Sequence, residues 1–99
     1  MKLSESIDLF RRRFRFVAVD DGVKFVYVDL HPNLTKFLVL VDSDLTKDDT
    51  IKIQAAYNRK LEDIPEAAVK VIRLDDWRHF DRYKLIWTST GLAEYAPKA

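Results

Sequence analysis

The sequence contains no cysteine, only two glycines and three prolines, and no long hydrophobic run. Without cysteine the chain has neither disulfide bonds nor thiolate metal ligands, which suits a reducing compartment. No glycine-rich phosphate loop or nucleophile elbow is present, and two glycines leave little material for one. No stretch approaches the roughly 18 apolar residues of a membrane span, and the first residues lack the apolar core of a signal peptide. We therefore expect a soluble, cytoplasmic protein with no membrane partner, and we assign it no cofactor.

Length and charge limit the remaining possibilities. A chain of 99 residues that is 47% hydrophobic can build one core, so we expect a single domain over residues 1–99. Seventeen basic and sixteen acidic side chains leave a net charge of only +1. Because the average surface is neutral, a nucleic-acid partner would have to be recognised by a local cluster of cations.

The first part of the chain changes its hydrophobic period. Apolar residues at helical spacing predict a first helix that ends at about Arg13. From Phe14 the pattern alternates, which predicts a first strand over residues 14–19 that ends in a turn at residues 20–22.

The middle of the chain has the composition of a hairpin. Residues 23–30 are rich in β-branched and aromatic side chains, and the segment 31–33, which contains Pro32, interrupts them. The next strand, over residues 35–41, ends in the continuous apolar run 37–41, which is typical of a strand with both faces buried. We expect this strand to be central in the sheet.

The rest of the chain predicts one long helix and two strands. Thr46 and Asp49 have the spacing of a capping box at the start of a helix over about residues 47–62. The crossover places the following strand, residues 68–74, parallel to the strand before the helix. A short helical segment and a last strand over residues 83–88 complete the order α-β-β-β-α-β-(short α)-β. The fold class is therefore α+β, with a mixed four- to five-stranded sheet and helices mainly on one face.

Two helices do not easily cover both faces of such a sheet, and both faces are apolar. Alternation within the second and third predicted strands gives two sets of side chains, one expected on each face of the sheet. The first set is Phe25, Tyr27, Phe37, Val39 and Val41, and the second set is Val26, Val28, Leu30, Leu38 and Leu40. The second set needs a cover, either the C-terminal segment with Trp87 and Tyr95 or a second copy of the chain. We therefore expect a homodimer.

The main concentration of charge is the segment Phe10–Phe16, which holds the four arginines Arg11, Arg12, Arg13 and Arg15 among three phenylalanines. Such a mixture is able to bind phosphates and stack bases, or to bind an acidic partner. The alternative is structural, because cations at the end of a helix stabilise its dipole and the phenylalanines belong in a core. We favour the structural interpretation.

Two acidic clusters allow a catalytic hypothesis. The aspartates of residues 42–49 lie between a strand and a helix, but they lack the glycine and the closing glutamate of a calcium-binding EF-hand loop. Asp75 and Asp76 precede His79 at helical spacing, which is a possible acid–base arrangement. Helix capping and surface ion pairs explain the same residues, so we assign no catalytic residue and no metal ligand.

Aromatic side chains concentrate in the last quarter, at Trp77, Tyr83, Trp87 and Tyr95, with the composition that protein interfaces favour. We interpret the chain as a small non-enzymatic protein-interaction or regulatory module, homodimeric and acting through these residues. The alternative is a nucleic-acid-binding protein that uses Arg11 to Arg15, and the third hypothesis is a small metal-assisted hydrolase.

Overall fold

The computed structural model describes residues 1–78 and 82–89, with only the backbone at residues 15 and 16. The elements follow in the order α1 (Leu3–Arg13), α2 (Arg15–Ala18), β1 (Val23–Leu30), β2 (Thr35–Val41), α3 (Lys47–Lys60), β3 (Ala67–Arg73), a 3₁₀ turn (Leu74–Asp76) and β4 (Lys84–Thr88). The four strands form one sheet in the order β3-β2-β1-β4. β2 and β3 are parallel, and the other two neighbouring pairs are antiparallel. The α+β class, the mixed sheet and the central position of β2 are confirmed.

The first predicted strand is wrong, because residues 15–18 form a helical turn, α2. The side chains of Phe10, Phe14 and Ala18 are all buried, at 1%, 0% and 0% exposure. Their spacing of four residues continues the apolar stripe of α1 beyond its last turn. Phe14 packs against the rings of Phe10 and Tyr57, at centroid distances of 5.5 and 4.8 Å. This tertiary packing prevails over the local alternation that favoured a strand.

The main core lies between the three helices and one face of the sheet, which we call the inner face. Its buried members are Leu9, Phe10, Phe14, Ala18, Val23, Val26, Val28, Phe37, Val39, Val41, Tyr57, Leu61, Val69, Val71, Ile86 and Trp87. The Tyr57 hydroxyl is the polar exception, and it donates a hydrogen bond to Asp21 at 3.0 Å. Burial raises the pKa of this hydroxyl well above its usual value.

The match between the faces of β1 and β2 differs from the prediction. Tyr27 lies opposite Leu38, and Val28 lies opposite Phe37. Residues directly opposite share a face, so Tyr27 belongs with Leu38 and the predicted grouping with Phe37 is wrong. Alternation fixes two sets within each strand, but the loop of residues 31–34 determines which sets meet.

The opposite side of the sheet, which we call the outer face, carries a second cluster. Leu38, Leu40 and Tyr83 are buried there, with Phe25, Tyr27, Ile72, Leu74 and Trp77 packed around them. β3 and β4 are the two edge strands of the sheet, and the connection between them runs from residue 74 to residue 83. Both described ends of this connection, residues 74–78 and 82–83, contribute to the outer cluster. The connection therefore covers part of the face for which we expected the C-terminal segment or a second copy.

Candidate functional site

Within the arginine cluster, Arg13 has a structural role. Its guanidinium donates to both carboxylate oxygens of Asp63, at 2.9 and 3.0 Å, and to the carbonyl of Lys60 at 2.7 Å. This hydrogen bonding raises the pKa of Arg13 and holds the pKa of Asp63 below its usual value. Arg13 therefore joins the end of α1 to the end of α3.

Arg11 and Arg12 do not share a surface with the rings of Phe10 and Phe14. Arg12 is exposed and pairs with Asp8, one helical turn earlier, at 3.0 Å. Arg11 is exposed as well, and the side chain of Arg15 lies outside what the structure describes. Phe10 and Phe14 are buried in the core, so they offer no ring face on which a base can stack.

The predicted aromatic surface is divided between the two faces of the sheet. Trp87 is 7% exposed and packs on the inner face against Phe10, at a centroid distance of 5.6 Å. Trp77 and Tyr83 lie together on the outer face. Tyr95 lies outside the described residues.

The aspartates near α3 act as structural acceptors. The Asp49 backbone N–H donates to the Thr46 hydroxyl at 3.1 Å, and the Thr46 N–H donates to the Asp49 carboxylate at 3.4 Å. The predicted capping box is therefore confirmed. Within the part of the chain that the structure describes, no group of three or more His, Cys, Asp or Glu residues is placed to hold a metal ion. His79 is outside that part.

A different site emerges on the outer face, as a groove of about 310 Å³ over β2 and β3. Its cations come from three elements: Lys36 from β2, Lys70 from β3 and Arg78 from the connection after the 3₁₀ turn. Its other lining residues are Leu38, Ile72, Asp76, Trp77 and Tyr83. We call this site the outer groove.

Three rows of side chains cross the outer face, and their charge differs from one end of the groove to the other. The register places Asp29, Lys36 and Ala68 in the first row, Tyr27, Leu38 and Lys70 in the second, and Phe25, Leu40 and Ile72 in the third. The rows change from charged through mixed to apolar along the direction of β2. A ligand therefore meets cations at one end of the groove and apolar surface at the other.

The three groove cations have no ion-pair partner among the described residues. Asp29 is the cross-strand neighbour of Lys36, but its buried carboxylate is occupied by His31 Nε2 at 3.0 Å and by Arg82 Nε at 3.1 Å. Asp76 is likewise paired with Arg73, at 3.2 Å. The acidic groups near the groove therefore do not neutralise its cations.

The aromatic wall of the groove is packed against the sheet. The Trp77 ring packs on the Tyr27 ring at a centroid distance of 4.6 Å, and the Arg82 guanidinium lies 5.2 Å from the centre of the Tyr83 ring. Arg82 is in turn fixed by Asp29 on β1. The connection between β3 and β4 is thus held by contacts at both of its described ends. Its residues Trp77 and Tyr83 form the wall that lies beside the cations.

A larger depression of about 410 Å³ lies between α1 and residues 64–66, but its charges are mixed. Its arginine, Arg12, already pairs with Asp8, and Glu5 and Glu66 line the same space. The outer groove is the better candidate because it combines uncompensated charge of one sign with an apolar floor.

Sequence reasoning missed the outer groove. A signal for it exists, since Lys36 and Lys70 interrupt strands that are otherwise almost entirely apolar. A lysine at such a position indicates a face that is not fully covered. The register that brings the two lysines onto neighbouring strands cannot be read from the pattern.

Comparison of the chain with protein-family models, curated proteins and solved structures found no match. Among the described residues, every helix is too short or too polar to cross a lipid bilayer.

Proposed function

We propose that the protein is a non-enzymatic interaction module that binds an acidic segment of a partner protein in the outer groove. The observation that carries this proposal is the gathering of Lys36, Lys70 and Arg78 around one groove without ion-pair partners in the described part of the chain. In a protein of net charge +1, three uncompensated cations around one cavity form a local positive field.

The groove supplies two kinds of binding energy. Each ion pair at such an exposed site contributes only about 0.2–1 kcal/mol, so charge alone gives orientation and a faster approach rather than tight binding. The apolar floor of Leu38 and Ile72 and the Trp77 wall add about 25 cal/mol for each Å² of apolar area that the ligand covers. A segment with both acidic and apolar side chains uses both contributions.

A protein ligand fits this site better than a nucleic acid. Binding of single strands depends on open aromatic faces on which bases stack. In the outer groove one face of the Trp77 ring is covered by Tyr27, and Tyr83 is only 8% exposed, so the described wall offers no row of open rings for successive bases. On the helical side, Arg13 is bound to Asp63 and Arg12 to Asp8, which weakens the alternative function through the arginine cluster.

Self-association stays a prediction, and we keep a homodimer as part of the proposal. Among the described residues, the large apolar side chains that remain exposed are those of Leu3, Val19, Leu34 and Ile51. They lie on separate segments, so the interface has to be formed by more than one element. Light scattering in dilute solution tests this, and a mass of 11.6 kDa at every concentration would contradict it. We also propose a cytoplasmic location, because a chain without cysteine is suited to a reducing compartment.

Fluorescence anisotropy with a labelled peptide of mixed glutamate and leucine tests the binding function. The triple variant Lys36→Gln, Lys70→Gln, Arg78→Gln should abolish most of the binding, and added salt should weaken the wild-type complex. The matched control is the triple variant Arg11→Gln, Arg12→Gln, Lys52→Gln, which removes the same charge from exposed residues of α1 and α3.

The two triple variants also separate the two functional classes. The proposal requires that the control binds the peptide as the wild type does. Loss of binding in the control alone would contradict it. Tighter binding of a single-stranded oligonucleotide than of any acidic peptide, lost in the control variant, would replace it with the nucleic-acid alternative.

A further inference from the structure

We infer that the segment bound in the outer groove is extended. It carries acidic side chains at positions i and i+2 and an apolar side chain at the next alternate position, which is i+4 in one chain direction and i−2 in the other. This inference rests on the proposed function and specifies the ligand of the same site. It derives from the register of β2 and β3, which fixes where the cations and the apolar surface lie relative to one another.

The two lysines lie one row apart along the sheet. Lys36 is opposite Ala68, and Lys70 is opposite Leu38, so Lys70 lies two residues further along the strand direction than Lys36. At about 3.3 Å per residue, this is an offset of about 6.6 Å. The side chains of an extended segment at positions i and i+2 point to the same side and have the same spacing. An extended ligand that runs along the strands therefore places two alternating carboxylates opposite the two lysines.

The next row is apolar. Ile72 is two residues beyond Lys70 on β3 and faces the same side, and together with Trp77 it lines that end of the groove. The ligand side chain at position i+4 meets this apolar surface. Arg78 lies on the connection beside it and is free to engage a carboxylate or the ligand backbone.

The spacing of the lysines favours an extended ligand over a helix. Lys36 and Lys70 lie on two neighbouring strands, whose axes are about 4.8 Å apart, and Trp77 packs on Tyr27 of β1, on the side away from β3. A helix with its side chains is about 10–12 Å across, more than twice this strand spacing. A single extended chain has the width of one strand, which matches the spacing of the two lysines.

The inference predicts a preference among peptides of identical composition. We compare Glu-Ser-Glu-Ser-Leu, in this order and in reverse, with Glu-Ser-Leu-Ser-Glu, whose acidic residues have helical spacing, and with Glu-Glu-Leu-Ser-Ser. All are embedded in the same glycine–serine frame and labelled identically. One direction of the alternating peptide should bind up to about fivefold more tightly than either of the other two, which is the upper end of what one well-placed exposed ion pair provides.

The variant Lys70→Gln should remove this preference, because it deletes the second of the two matched cations. Lys70 is exposed, so the substitution should leave the melting temperature unchanged. The control Lys52→Gln, on the exposed surface of α3, should keep both the affinity and the preference.

The outcomes separate this inference from the proposed function. Equal binding of all peptides, weakened by the groove triple variant, would overturn the extended motif and leave the function intact. A preference for Glu-Ser-Leu-Ser-Glu would also overturn it, in favour of a helical ligand. If no peptide binds better than its glutamine-substituted version, both the motif and the proposed function are overturned.

Discussion

The Val71 backbone N–H donates to the Gln54 side-chain oxygen at 2.7 Å, and the Gln54 amide nitrogen donates to the Val69 carbonyl at 2.8 Å. These are two of the hydrogen bonds that a further strand would make with this edge of β3. A side chain from α3 thus satisfies an edge strand that would otherwise present unpaired backbone groups. The same contact holds α3 against the sheet.

Replacing Gln54 by alanine should destabilise the protein by about 1–2 kcal/mol, because the edge groups of β3 then have only water as partner. The variant should also associate more strongly with increasing concentration than the wild type, since the free edge can pair with another chain. Chemical unfolding and light scattering measure the two effects. Lys52→Ala, on an exposed position of the same helix, is the control. Unchanged stability together with unchanged association would contradict this role of Gln54.

Asp29→Asn should lower the free energy of unfolding by about 1–2 kcal/mol, through loss of the charged partner of Arg82 and His31. The effect stays below that of a fully buried ion pair, because His31 and Arg82 are 54% and 61% exposed and can return to water. Asp8→Asn, at a pair whose partners are both exposed, should change the stability by less than about 0.5 kcal/mol. Equal effects of the two substitutions would show that Asp29 does not anchor the connection.

Thr46→Ala should destabilise the protein by about 1 kcal/mol through loss of the cap of α3. Thr50→Ala is the matched control, because the Thr50 hydroxyl only donates to the Thr46 carbonyl within the helix. We expect Mg²⁺ or Ca²⁺ to leave the melting temperature of the wild type unchanged, since Asp49 serves the cap. A rise of several degrees with either ion would favour a metal site instead.

The parts of the fold that the sequence predicted are those in which local and tertiary preferences agree. The apolar run of residues 37–41 predicted the central strand, and Thr46 with Asp49 predicted the start of α3. Residues 14–18 are different, because their sequence fits two patterns. It alternates over five residues, as a strand does, and it also continues a helical apolar stripe from Phe10 to Ala18. Packing of Phe14 against Tyr57, which is 43 positions further along the chain, resolves this ambiguity in favour of the helix.

The candidate site depends on the register between strands that are far apart in the sequence, and the hydrophobic pattern does not determine this register. Lys36 and Lys70 can be identified in the sequence, but only the pairing of β2 with β3 shows that they lie close together. The aromatic residues of the last quarter predicted one interaction surface, but Trp87 faces the helices and Trp77 faces the groove. The face that Trp87 takes depends on the bulge in β4, where the pairing shifts by one residue.

The ion pair between Arg13 and Asp63 predicts a pH dependence whose sign follows from the pKa of Asp63. The hydrogen bond from Arg13 lowers this pKa in the folded protein, so the folded state binds the proton less readily than the unfolded state. The pair therefore stabilises the protein at neutral pH. Its contribution begins to fall near the ordinary aspartate pKa of about 3.9 and is lost as the pH drops through the lowered value.

The difference in melting temperature between the wild type and Asp63→Asn, measured from neutral to acidic pH, isolates this contribution from that of the other carboxylates. We expect the wild type to be the more stable at neutral pH and the difference to vanish in acid. The same substitution in an Arg13→Gln background should give a small difference that does not depend on pH, because the cation that lowers the pKa is absent. The salt bridge is exposed, so the size of the effect should also decrease with added salt. A difference that persists at low pH would mean that Asp63 acts through its shape or its hydrogen bonds and not through its charge.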